Sequence, residues 1–394
     1  MKILVLTSRL PYPIEKGDKL RVYHQMRELS QHHELILCSL VEEVPNPSSI
    51  DHLLGICSEV HSFRLYKPDI FWHSLKGLMT GLPLQVAYFY RPTIHEEIRK
   101  IAARVEPDLV FCQLIRMSEY AKDLKPLLWL DYMDCFSAGM KRQAEESPLW
   151  QKPLYEREAR LLARYQKEIY PFFDGHSIIS AQDKKLLDPS GNLDISLLPN
   201  GIDTQYFRSR EGSQKEFDLC FVGNMGYFPN VRAVTYMVKR VMPLLWKKAP
   251  GLRLLIAGAR PNAEVRRLAQ DKRIEVSGWI EDIREAYAKG KVFVAPLFTG
   301  SGQQNKILEA MSMEMPCITT PLVNNAIGAE ENREILLAGN EQEFARNILD
   351  LLDREEFRQK IGREARNFVK RRYTWAGAVR EIEKIQPTSE DENS

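Results

Sequence analysis

Short runs of consecutive apolar residues, each closed by a small or polar residue and followed by a helical period, recur in two cycles along this chain. The first run is Lys2-Ile-Leu-Val-Leu6, closed by Thr7-Ser8. A strand with no polar face must be covered on both sides, which is the situation of a strand inside a parallel sheet. Leu35–Ser39, Val60–Phe63, Asp108–Cys112, Leu127–Leu130 and Ser177–Ser180 repeat the pattern, with helical periods over 20–29, 93–105 and 151–168. The second cycle opens near Ile195–Leu198. It continues through Phe217–Val222, Leu252–Ala257, Lys291–Ala295 and Cys317–Thr319, with helices expected over 231–247, 262–270, 281–289 and 304–313. Strands alternating with helices imply right-handed crossovers and doubly wound sheets.

At 394 residues the chain has room for two such α/β domains. The boundaries expected are 1–195 for the first, 196–365 for the second, 366–386 for a C-terminal helix packing back on the first, and 387–394 for a disordered tail. The polar stretch 208–216 reads as a surface connection. Two doubly wound domains on a short linker are expected to face each other across a cleft, a common place for small-molecule sites.

Several classes are excluded. No apolar run reaches 18 residues, so no transmembrane helix is expected. The apolar start is too short for a secretory signal and Arg9 ends it. Lys and Arg total 55 against 53 Asp and Glu, a net charge of +2 that leaves no broad basic face for nucleic acid. The six cysteines are far apart and form no Cys-x-x-Cys, which suits buried thiols in a reducing compartment better than disulfides or zinc. A cytoplasmic protein is expected. No Gly-x-x-x-x-Gly-Lys-Ser/Thr, Gly-x-Gly-x-x-Gly after strand one, Gly-x-Ser-x-Gly or metal-spaced histidine pair occurs.

The most informative segment runs from Ala295 through Gly300-Ser301-Gly302-Gln303-Gln304-Asn305-Lys306 to Glu309. A strand enters a glycine-rich turn, and a helix then presents Lys306 and Glu309 three apart on one face. Close glycines admit backbone N–H groups to an anion, and the helix N-terminus and Lys306 add positive charge. Glu309, one turn deeper, can accept both hydroxyls of a ribose. The plainer alternative is a surface Lys–Glu pair on an ordinary strand–turn–helix. A second turn, Gly223-Asn224-Met225-Gly226, precedes Pro229, which suits a first helical turn. It reads either as a phosphate approach or as a tight βα connection. In the first half, Gly17 with Lys19 and Arg21 follows strand one, and Asp131 and Asp134 follow another strand. The first group could approach a sugar or phosphate, or form a solvated loop. The carboxylates could orient a sugar or an acceptor hydroxyl, or cap a helix.

Taken in order, these segments resemble the family 4 glycosyltransferases of the GT-B fold, two Rossmann-like doubly wound domains facing across a cleft. The resemblance spans nearly the whole chain and includes Leu198-Pro-Asn-Gly-Ile-Asp203, Val222-Gly-Asn224, Ser277-Gly-Trp279 and Tyr373-Thr-Trp375. It implies transfer of a sugar from a nucleotide-diphosphate (NDP) donor with retention of anomeric configuration. Gly17, Gly223, Asn224, Gly300, Ser301, Gly302, Gln304, Asn305, Lys306 and Glu309 are the donor-binding residues it implies. Asp134, Lys306 and Glu309 are the catalytic ones, with Lys306 neutralising the departing diphosphate and Glu309 on the ribose. No metal and no cofactor beyond the NDP-sugar substrate are implied. Four positions depart from the family pattern. Ser301 stands where the first of two paired glutamates is usual, Gln304 and Asn224 where arginine is common, and Met133 where His precedes Asp. Arg232 is the candidate substitute for the second arginine.

More narrowly, Pro11-Tyr-Pro13, Lys16-Gly-Asp-Lys19, Asp131–Asp134 and Gln304-Asn-Lys306 resemble sugar transferases associated with exosortase/PEP-CTERM systems and bacterial exopolysaccharide synthesis. The acceptor expected is a glycan or a polyprenyl-diphosphate-linked saccharide. Peripheral contact with the inner face of the cytoplasmic membrane, through Phe71, Trp72, Lys76, Tyr88, Phe89, Tyr90 and Arg91, stands beside ordinary core packing for the same residues. A non-catalytic nucleotide-sugar-binding component and an NDP-sugar epimerase on the same fold remain open alternatives.

Overall fold

The computed structural model describes residues 1–209, 214–299 and 303–385. They divide into two units, Met1–Pro199 with the segment from Trp375 onward, and Asn200–Thr374. In the first unit, β1 (Lys2–Thr7), β2 (Glu34–Val41), β3 (Glu59–Arg64), β4 (Leu109–Gln113), β5 (Leu127–Asp131), β6 (Gly175–Ile178) and β7 (Ser196–Leu197) make a seven-stranded sheet. Every pairing is parallel and the order is β3-β2-β1-β4-β5-β6-β7. The second unit repeats the plan with β8 (Phe217–Val222), β9 (Leu254–Ala257), β10 (Ile274–Gly278), β11 (Gly290–Ala295), β12 (Cys317–Thr319) and β13 (Leu336–Leu337). Its six strands are also parallel, in the order β10-β9-β8-β11-β12-β13. The order reverses between β1 and β4 in one sheet and between β8 and β11 in the other. Such reversals open a crevice at the carboxyl ends of the strands, where α/β sheets bind ligands.

The central strands are apolar throughout because both faces are covered. In β1, Leu4 and Leu6 pack with Val110 and Cys112 on one side, and Ile3 and Val5 with Leu109 and Phe111 on the other. Each such aliphatic side chain contributes about 1.5–3 kcal/mol over its exposed state. Edge strands obey a different rule. β10 reads Ile274-Glu-Val-Ser-Gly278, with Ile274 buried and Glu275 exposed, so it lacks the continuous apolar run and escapes a search for one. The helix expected over 231–247 is interrupted. It comprises Phe228–Tyr236, a π turn over Met237–Val241, and Met242–Trp246. Pro243 lacks the N–H that a regular ladder needs there, which accounts for the break.

The boundary expected at 366 falls inside the helix Glu355–Arg372, and the return to the first unit begins at Trp375. Trp375 stacks on His24, ring centroids 4.7 Å apart, and Val379 and Ile382 of helix Trp375–Lys384 join Val22 and Met26 in the core. β7 belongs to the first sheet, so the boundary expected at 195 cuts just ahead of a strand of that unit. The tail 387–394 and part of the connection 208–216 lie outside the described residues. All six cysteines are buried and free.

Candidate functional site

In the second unit the turn after β8 is tied to the turn after β9. Gly223 N donates to the Ala257 carbonyl at 3.0 Å, and Met225 N to that of Ala259 at 2.7 Å. The approach is so close that a Cβ at Gly258, whose φ is +134°, would sit 1.9 Å from the Gly223 carbonyl oxygen. Only glycine fits there. Asn224 turns its Oδ1 inward to accept from Gly226 N at 2.9 Å, so that oxygen holds the turn's own shape. Pro229 falls within the first two positions of helix Phe228–Tyr236. Arg232 is exposed and stands over the Phe228 ring.

Lys306 and Glu309 lie on the helix Asn305–Ser312, which follows β11 across the sheet's reversal from β8. Lys306 Nζ donates to Asn230 Oδ1 at 2.6 Å and lies 5.5 Å from the centroid of Phe221. Asn230 in turn donates through Nδ2 to the Asn224 carbonyl at 2.9 Å. One buried amide therefore joins the Gly223 turn to the lysine. Burial lowers the Lys306 pKa to about 8, and Glu309 opposes that shift. Glu309 Oε2 accepts from the Tyr287 hydroxyl at 2.7 Å. Burial raises the Glu309 pKa, while the Tyr287 hydrogen bond and Lys306 lower it.

Gln304 occupies the N-cap position without a capping hydrogen bond, and Asn305 opens the helix. The Asn305 Oδ1 is buried and has no partner among the described residues. Gln303 exchanges two hydrogen bonds with the Asn200 backbone, at 2.7 and 2.8 Å, fixing the chain just ahead of that helix. Gly300, Ser301 and Gly302 lie outside the described residues. Asn230, Tyr287 and Gln303 were not singled out in the sequence. Their partners are 76, 22 and 103 residues distant, beyond any local spacing rule.

In the first unit Gly17 opens the helix Gly17–Leu29, and a Cβ there would make ordinary contact with Met133 Cε at 3.7 Å. Arg21 and Asp131 do not face a ligand. Both side chains are fully buried and pair with each other, Nε to Oδ2 at 2.7 Å and Nη2 to Oδ1 at 2.9 Å, and Asp131 also accepts from Ser177. Their charges brace the floor of the unit. Asp134 is partly buried, and burial raises its pKa to about 6, with Asp183 reinforcing the rise and Arg21 opposing it. A cavity of about 440 Å³ lies past the ends of β1 and β2, lined by Arg9, Lys16, Lys19, Glu42 and Glu43 among others.

The aromatic patch expected at a membrane divides in two. Phe89 and Arg91 are buried and Tyr88 and Tyr90 half-buried, so that half is core. Phe71 and Trp72 are each 64% exposed on the helix Lys67–Thr80, and Met79 is 83% exposed further along it. The side chain of Lys76 is outside the description. Among the described residues no helix is long and apolar enough to cross a membrane.

The fold is that of the GT-B proteins, two Rossmann-like parallel-sheet domains with the polar site groups at the carboxyl ends of the strands. Residues 216–354 match the family model described as glycosyl transferases group 1. Sucrose-phosphate synthase from Thermosynechococcus elongatus superposes with a TM-score of 0.68 at 13% identity, over 98% of both chains. Anabaena HepE in complex with UDP gives 0.68 at 14% identity, over 98% of this chain and 99% of the other. The chain is also 23% identical to an uncharacterized 44.6 kDa protein in the cps region of Klebsiella pneumoniae, over 94% of this chain and 96% of that protein. Together these matches support a glycosyltransferase.

Proposed function

We propose that the protein is a retaining glycosyltransferase that moves a sugar from an NDP-sugar to a glycan or polyprenyl-diphosphate-linked acceptor in bacterial exopolysaccharide biosynthesis. The reading rests on one observation above the others. Lys306 is a largely desolvated ammonium held at 2.6 Å by Asn230, whose amide also ties it to the Gly223 turn. A fixed cation in a site of low polarity stabilises charge that develops on a leaving group without reorganising during the reaction. As the bond from the sugar C1 to the diphosphate oxygen breaks, its electron pair goes to the diphosphate, and Lys306 sits to receive that charge. The acceptor hydroxyl oxygen then bonds to C1 and gives its proton to the departing diphosphate oxygen, which carries the electron pair of the broken bond. Glu309, aimed by Tyr287, keeps Oε1 for the ribose hydroxyls. Asp134 is the first unit's group for a hydroxyl of acceptor or sugar. The lysine supplies the positive charge, so the reaction is proposed to run without a metal.

HepE binds UDP in the solved structure named above, and the Klebsiella relative lies in a cps region, which favours a uridine donor and a polysaccharide product. The narrower kinship with PEP-CTERM-associated transferases rests on the Pro11–Lys19 and Asp131–Asp134 segments. Membrane contact at the inner face is proposed to run through Phe71, Trp72 and Met79, whose apolar area faces solvent on one helix.

The test is a panel of NDP-sugars examined by thermal shift and then for release of nucleotide diphosphate. A donor that raises Tm and is slowly hydrolysed supports the transferase. A donor that binds without turnover, even with lipid-linked saccharide extracts added, supports a non-catalytic binder. Isomerisation of the donor without acceptor marks an epimerase.

A further inference from the structure

Among the described residues of unit 1, Arg21 and Arg91 are buried and Arg116 is half-buried, and of these Arg21 alone is in ion-pair contact with an acid. Arg21 has Asp131. Arg91, 5% exposed, gives Nη1 to the carbonyls of Ala87 and Tyr90, while Nε and Nη2 are buried with no partner among the described residues. Arg116 is the third. Its Nε and Nη2 both donate to Gln85 Oε1, at 2.9 and 2.7 Å, and its guanidinium lies 5.0 Å from the centroids of both Phe89 and Phe136. No carboxylate is in ion-pair contact with it among the described residues, and Nη1 makes no bond there. Burial depresses its pKa to about 10 and Arg9 adds to the depression, while Asp18 and Tyr88 oppose it. Asp18 is ion-paired with Arg9 rather than with Arg116, so among the described residues the desolvated Arg116 guanidinium has no carboxylate of its own in contact, which is costly.

Its position gives the cost a purpose. Arg116 stands in the turn Ile115–Met117 just past β4, while Arg9 follows β1, and these two strands flank the reversal of the sheet. Arg9 also lines the 440 Å³ cavity. In unit 2 the corresponding reversal, between β8 and β11, carries Lys306. Each sheet therefore places an incompletely neutralised cation where parallel sheets take ligands.

We infer that Arg116, with Arg9 beside it, is an anion-recognition point on the acceptor side, taking an oxyanion of the acceptor, either a lipid-linked phosphate or a sugar carboxylate. Gln85 and the two phenyl rings fix the guanidinium so that Nη1 is left for the ligand, the planar, directional recognition for which arginine is suited. The inference rests on the transferase reading but concerns the acceptor, so it fails or stands separately from the donor site.

The experiment uses the full chain carrying Lys306→Ala, so that phosphate probes do not report on the donor site. Farnesyl phosphate, glucuronate and the neutral control farnesol are titrated calorimetrically. One of the two anions is expected to bind and farnesol not to, which also tells the lipid phosphate from the acidic sugar. Arg116→Met is expected to weaken that binding at least tenfold, and Arg116→Lys to weaken it less. Because Met fills the aromatic slot without a buried charge, Tm is expected not to fall, whereas a structural role predicts a lower Tm. Should Arg116→Met fail to fold, Arg9→Ala carries the test, with weaker binding of the same anion expected. Absence of binding by either anion overturns the inference, as does binding that neither substitution changes. Loss of NDP-sugar binding in Arg116→Met with Lys306 intact places the residue in the donor clamp and also overturns it. Failure of donor binding in the otherwise unaltered protein, tested separately, counts against the transferase reading instead.

Discussion

Tyr287 aims Glu309: its hydroxyl donates to Oε2 at 2.7 Å from a ring that is completely buried beneath the helix carrying the glutamate. The carboxylate is thereby held in one rotamer with one oxygen committed and the other available. Tyr287→Phe keeps the packing and removes the bond. The hydrogen bond lowers the Glu309 pKa, so its loss raises that pKa further and frees the carboxylate to rotate. Donor affinity is expected to fall about tenfold with little change in fold, the scale of one hydrogen bond to a charged group. Calorimetric Kd values for the stabilising NDP-sugar check this.

Lys306 predicts a basic limb in donor binding. Its pKa near 8 means that the ammonium is largely protonated at pH 7 and is lost as pH rises through 8. The bridging diphosphate of an NDP-sugar stays ionised throughout, so Kd is expected to be flat below about pH 7 and to rise up to tenfold per pH unit well above 8. Lys306→Arg, which keeps its charge, should bind more weakly but without that limb. Asn230→Asp puts a carboxylate where the amide now accepts at 2.6 Å, which should move the limb to higher pH and weaken diphosphate binding.

Asp134 predicts the acid limb. Burial and the neighbouring Asp183 both raise its pKa, to about 6. Transfer that uses the carboxylate form falls as pH drops through 6. Asp183→Asn removes a nearby negative charge, so the Asp134 pKa drops and the limb moves to lower pH. A profile of kcat/KM against pH for both proteins reads the shift, and an unmoved limb argues against Asp134 as its source.

The Arg21–Asp131 pair predicts a stability effect with no direct part in chemistry. Asp131→Asn leaves a guanidinium with 0% exposure facing a neutral amide. A loss of about 3–5 kcal/mol is expected in denaturant unfolding, because an uncompensated charge stays buried. Replacing both residues by apolar ones of similar size should restore most of it.

The scaffold was legible wherever burial leaves a signature in composition. The continuous apolar runs of β1, β4, β8 and β11 announce strands covered on both faces, and their alternation with helices announces the doubly wound sheets. β10 was missed because an edge strand alternates Ile274, Glu275 and Val276 with its exposure. Within the site, Lys306 and Glu309 could be read because both lie on one helical turn after a glycine-rich strand end. Their partners Asn230 and Tyr287 could not, since tertiary folding alone brings them near. Arg21 and Asp131 show the converse error. Charged residues after strands look like ligand groups, yet 110 residues of separation hid that each satisfies the other.

The central claim is that Lys306 stabilises the departing diphosphate of a sugar donor. Its most direct test measures nucleotide diphosphate release from the stabilising NDP-sugar by the wild type and by Lys306→Ala, at saturating donor and matched folded concentration. Slow release by the wild type is expected, rising when acceptor extract is added, with a rate at least about 100-fold lower in the variant, on the scale of losing one preorganised charge-stabilising group. Equal rates in the two proteins would contradict it.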